Sequence, residues 1–123
     1  MHRSLSSSPV RLLSVFAAVV VASALAGPAF AARAHATATI KVTATEFKFT
    51  LSPSTVKHGT ITFTVVNKGK LAHDFKIAGK STPQIQPGKS AKLTVTLKAG
   101  KYPYLCTLPG HAAAGMKGTL VVK

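Results

Sequence analysis

Thr60-Ile61-Thr62-Phe63-Thr64-Val65-Val66-Asn67 alternates polar with large apolar side chains, a period of two that marks a strand with one buried face. Ile61, Phe63 and Val65 fall on that face, and the β-branched residues around them suit a pleated sheet. Residues 91–97 repeat the pattern with Leu93, Val95 and Leu97. Upstream, in residues 40–51, the apolar positions change parity, from Ile40, Val42 and Ala44 to Phe47, Phe49 and Leu51. One residue of slip would restore a common face, so a β-bulge is expected near Thr45 or Glu46. Further strands are expected at residues 72–77, 101–106 and 119–123, with turns at Asn67-Lys68-Gly69, Pro87-Gly88, Ala99-Gly100 and Pro109-Gly110. No helical pattern and no internal repeat stands out. The spacing predicts an all-β fold, a Greek-key β-sandwich of about six to eight strands, over residues 40–123.

The residues before this block have a different character. Residues 1–31 show a positive start (His2, Arg3, Arg11), an uncharged apolar run over 12–25 and small residues at Ala29-Phe30-Ala31, the three parts of a secretory signal peptide. The apolar run falls short of the roughly 20 residues that span a bilayer. Residues 32–39 are expected to form a flexible lead-in. The mature chain is expected to be soluble and monomeric, in the periplasm or outside the cell. Cleavage after Ala31 would leave 92 of the 123 residues, enough for one small domain. Ala32-Arg33-Ala34 offers a second cleavage pattern, which would make His35 the first residue and give it a free amine with which to chelate Cu(II).

Sixteen Lys and Arg face only Glu46 and Asp74, a formal charge of +14 that falls to +12 when Arg3 and Arg11 leave. Nucleic acid, an anionic membrane surface or an acidic protein would each be attracted at long range. The lysines fall singly along the strands and no aromatic platform accompanies them, which argues against nucleic acid. Acidic docking surfaces on protein partners, with peripheral contact to anionic lipid as a further option, are the expectation. Cys106 is the single cysteine, so no internal disulfide exists. A lone thiol in an oxidising compartment must be buried or ligated.

Tyr104-Leu105-Cys106-Thr107-Leu108-Pro109-Gly110-His111-Ala112-Ala113-Ala114-Gly115-Met116-Lys117-Gly118 places a thiol, an imidazole and a thioether on one loop, with Pro109-Gly110 and Gly115 to bend it. His73 is the best candidate for a fourth ligand from another strand. Two His, one Cys and a weak Met match copper, because thiolate and thioether are soft donors while imidazole suits both copper oxidation states. Structural zinc sites are closed by Cys and His and gain little from Met. One copper per chain is expected, since a thiolate-bridged pair would need two cysteines. Tyr104 is assigned to the core, with a place lining the site as the alternative, and His58 to a solvated turn.

On these residues the chain resembles the cupredoxins, type 1 blue copper proteins of the plastocyanin and auracyanin kind, and its 104–118 loop is most similar to the auracyanins. The resemblance implies His73, Cys106 and His111 as strong equatorial ligands and Met116 as the weak axial one. It also implies that the side chain after the first His, here Asp74 where many cupredoxins carry Asn, ties the ligand segments together through Thr107. A weak backbone contact would fall at Ala72. Four protein ligands leave no open position for a substrate, so no enzyme is expected. The expected function is single-electron transfer between redox partners through the edge of His111. An exported copper chaperone or scavenger is the alternative, since the same ligands would serve it.

Overall fold

The computed structural model describes residues 37–123 and four isolated positions before them. The expected signal segment and His35 lie outside the described residues. Among the described residues there are nine strands: β1 Thr37–Thr45, β2 Lys48–Ser52, β3 Thr55–Val56, β4 Gly59–Asn67, β5 Lys76–Ile77, β6 Lys80–Ser81, β7 Ser90–Leu97, β8 Gly100–Leu105 and β9 Lys117–Val122. They form two sheets, ordered β2-β1-β4-β7 and β3-β9-β8-β5-β6. The parallel pairs β1/β4 and β3/β9 show that the chain crosses between sheets rather than meandering within one. The chain is thus an all-β sandwich as predicted, with nine strands among the described residues where about six to eight were expected, because β3, β5 and β6 are two-residue pieces.

β4 is the spine of the first sheet. Its alternate residues are fully or nearly fully buried, and β1 and β7 flank it in the register Ile40↔Phe63 and Phe63↔Leu93. Its other face carries threonines, and Thr60 and Thr62 share hydroxyl hydrogen bonds with Thr96 and Thr94 on β7. Ile40, Ile61, Phe63, Phe75, Ile77 and Leu120 fill the space between the sheets. Phe49, Phe63, Phe75 and Tyr104 meet there edge-on or tilted, with centroids 5.1–5.9 Å apart. Tyr104 is half-buried, and burial pushes its phenol above the ordinary value.

Three expectations change. The parity break in residues 40–51 is a hairpin, not a bulge. β1 and β2 pair antiparallel with Thr45 opposite Lys48, so Glu46 and Phe47 make the turn. Cross-strand partners point to the same side, which puts Phe49 beside Ala44 and Leu51 beside Val42 although their numbers differ in parity. Second, Thr37 to Thr39, expected in the lead-in, already pair with β4, while residues 32–36 lie outside the described residues. Third, residues 72–77 are not one strand. Only Lys76–Ile77 belongs to β5, which returns through Ala78 (φ 51°) and Gly79 (φ 74°) to β6. Two successive positive φ values are what a tight two-residue hairpin turn requires. Leaving the strand frees His73 to sit in a loop.

Candidate metal centre

His73 is positioned by backbone. Its N–H donates to the Ile85 carbonyl (3.1 Å) and its carbonyl accepts from the Ile85 N–H (2.7 Å), an isolated bridge that holds the ring in the interior with no exposure. Buried Asn67 fastens the loop before it, donating from Nδ2 to the carbonyls of Leu71 (2.7 Å) and Ile85 (2.8 Å) and accepting from the Gly69 N–H (2.8 Å). Cys106 follows the last residue of β8 and donates its N–H to the Met116 carbonyl (3.1 Å), while the Met116 N–H donates to the His111 carbonyl (3.1 Å). The loop between is a coil of turns, with Gly110 at φ 80° and Gly115 at φ 114°.

These constraints bring three donors together. One ring nitrogen from each of His73 and His111 and the Cys106 sulfur all lie within 4.8 Å of one another. The two Nδ1 atoms are 3.2 Å apart, and the His111 Nδ1 is 3.5 Å from the thiol. Met116 is fully buried and bonded through its backbone to both loop ligands. Burial pushes the Cys106 thiol up, against the pull of backbone N–H groups at Asp74 and Leu108. A thiol protonated in the metal-free protein must release its proton on binding, so metal affinity rises with pH.

Asp74, buried directly after His73, faces Thr107. Its Oδ1 accepts the Thr107 N–H (2.6 Å) and its Oδ2 accepts the Thr107 hydroxyl, joining the His73 segment to the Cys106 segment. Ala72 lies half-buried directly before His73. His58 is exposed, with Nδ1 3.0 Å from the Lys123 carbonyl. It sits at the far end of the sandwich: Lys123 follows Val122, which pairs with Gly100 at the start of β8, whereas Cys106 follows its end.

Two residues at the centre were missed. Glu46, in the β1–β2 turn, places Oε1 3.2 Å from the His73 Nε2 and accepts the N–H groups of Lys70 (2.7 Å) and Leu71 (2.8 Å). The Leu71 N–H above all, against some desolvation, lowers its pKa to about 2. Beside it Phe47 meets the His111 ring edge-on at 5.1 Å. The signal available was the parity break itself: a hairpin turn there carries one of the chain's two acids to an end of the sandwich.

The donor set fits copper on its chemistry: one thiolate, two imidazoles and the thioether of buried Met116, whose backbone bonds both loop ligands, for one ion per chain. Fold and site together define a β-sandwich with a mononuclear copper centre at one end. The chain belongs to the cupredoxin-like family, whose domain model matches residues 14–122. It is 29% identical over 177 aligned positions to the copper-resistant cuproprotein CopI of Pseudomonas aeruginosa, spanning 99% of this chain and 98% of that protein. A 42-residue stretch is 50% identical to auracyanin-B of Chloroflexus aurantiacus, 33% of this chain and 18% of the other. In fold it matches dithionite-reduced auracyanin from Roseiflexus castenholzii, with a TM-score of 0.60 at 22% identity over 72% of this chain and 98% of that one.

Proposed function

We propose that this chain is an exported carrier of single electrons, exchanging them with redox proteins through its copper centre. The observation that carries this reading is the clustering of His73, Cys106 and His111 on loops pinned by backbone bonds and by the Asp74–Thr107 pair. Ligands pinned by the protein itself need not rearrange when the ion's charge changes, which favours fast transfer. Copper, when bound, supplies a one-electron couple. Counting Met116, the protein donors leave no open position, so we assign no catalysis. Export rests on the signal-like pattern of residues 1–31. Among the described residues no helix is long and apolar enough to cross a membrane.

The route to a partner runs through His111, which is half-buried where His73 is sealed. Phe47 and Leu71, both exposed, together with half-buried Leu108 and Ala112 supply apolar surface on the segments around it. Such a patch lets a partner approach closely, while the scattered lysines steer an acidic surface toward it. Copper handling is the second reading, supported by the end-to-end similarity to CopI, a protein named for copper resistance.

One preparation tests both. Copper-loaded protein should be intensely coloured through the Cys106 thiolate, lose that colour in Cys106→Ser, and survive repeated oxidation and reduction without losing metal to a Cu(I) chelator. Faint nitrogen-and-oxygen-type bands would sink the site assignment. Strong colour with ready loss of Cu(I) would favour copper handling over electron transfer.

A further inference from the structure

We propose that Glu46 is a positioning residue of the metal centre, holding the His73 ring with Nε2 protonated so that Nδ1 presents its lone pair to the site. This rests on the copper assignment but not on the electron-carrier reading.

A neutral imidazole has one N–H, and an ionised carboxylate only accepts, so a ring nitrogen facing a carboxylate is the one that carries the hydrogen. The Glu46 Oε1 faces Nε2 at 3.2 Å, and on the other side of the ring Nδ1 lies 3.2 Å from the His111 Nδ1. The His73 side chain is wholly buried, so water does not compete for Nε2. Glu46 is itself anchored: the same Oε1 takes the N–H groups of Lys70 and Leu71, and a Cβ added at Gly69 would run into the carboxylate. The β1–β2 turn and the segment 70–73, lying 24 to 27 positions further along the chain, therefore meet at one oxygen. A carboxylate behind a ligating imidazole makes it more basic and adds negative charge near the ion, which favours the higher oxidation state.

The test pairs nitrogen-15 NMR of His73 in copper-free protein with Cu(II) and Cu(I) dissociation constants for wild type, Glu46→Gln and Glu46→Ala. Wild type should show a single His73 tautomer, protonated at Nε2. Glu46→Gln should keep that tautomer through its amide oxygen yet lose the charge, whereas Glu46→Ala should give a tautomer mixture. Cu(II) binding should weaken about tenfold in Glu46→Ala, the low end for outer-shell partners. With Cu(I) affinity unchanged, that tenfold change raises the potential by about 59 mV. Glu46→Gln should fall between the two. A residue that merely clasps the loop would lower Tm and weaken both ions alike. An unchanged tautomer with an unchanged Cu(II)/Cu(I) affinity ratio in Glu46→Ala therefore overturns the proposal. Should Glu46→Ala not fold, Glu46→Gln decides alone, and a wild-type affinity ratio in it overturns the role of the charge. Wild type that binds no copper would refute the site assignment and this proposal with it, an outcome distinct from variants that bind copper as well as wild type does.

Discussion

The two halves of the metal centre are built in opposite ways. Cys106, His111 and Met116 reach it on one continuous loop, closed by short backbone bonds between near neighbours and half-open at His111. His73 arrives from a loop pinned to Ile85, is clasped through Asp74 to a residue 33 positions away, and touches an acid 27 positions away. One half is local and faces partners; the other is assembled by the fold and sealed within it. Local closure is inexpensive in chain entropy and tolerates an exposed ligand. The sealed half needs long-range contacts, whose ordering cost falls on the whole domain.

That contrast can be broken most directly by removing each histidine in turn. His111→Gly should open a gap toward solvent, and added imidazole should restore the visible band of the copper-loaded protein. His73→Gly should leave a hole that solvent does not reach, and imidazole should restore little. Equal rescue of both would erase the distinction between an open and a sealed half.

A smaller effect is expected at the clasp between the halves. Asp74→Ala removes the acceptor of two hydrogen bonds from Thr107, and bonds to charged groups contribute about 1.5–3 kcal/mol each. Because Thr107 is exposed and can turn to water, a net loss of about 2 kcal/mol is expected in denaturant unfolding of the copper-free protein. Asp74→Asn, which keeps one carbonyl acceptor, should recover about half. An unfolding midpoint equal to wild type in Asp74→Ala would mean the halves are held together by packing alone.

Within the loop half, Met116→Leu keeps the buried volume and the backbone bonds while deleting the thioether. Copper should remain bound and the reduction potential should rise, since a weak axial donor tunes the ion more than it retains it. Complete loss of copper would make Met116 a primary ligand and the loop a three-donor clamp. The subtlest change is expected at exposed Ala113. Ala113→Glu should leave spectrum and potential intact while slowing exchange with an acidic redox partner, and the wild-type rate should fall as salt screens the lysines beyond a Debye length of about 10 Å at 0.1 M. Unchanged exchange would move the docking face away from His111.

The same division explains which features could be read from the chain alone. Alternation in residues 60–67 and 91–97 declares half-buried strands, because burial on one face imposes a period of two wherever the strand lies. Likewise the thiol, imidazole and thioether on one glycine-bent loop declare a soft metal site, because the chemistry of the donors travels with the residues. Sequence by itself therefore determined the sandwich and the choice of copper; the residues themselves pointed to the loop donors and to His73 as ligands, and the family pattern added Asp74. Tertiary structure alone decided that the parity break is a hairpin, since a bulge and a two-residue turn leave the same apolar pattern and differ only in whether the chain reverses. It alone decided that His73 stands in a loop bridged to Ile85. And it alone set Glu46 behind that ring and Phe47 against His111, because those contacts arise from where the turned hairpin ends and have no counterpart in the spacing of the residues that make them.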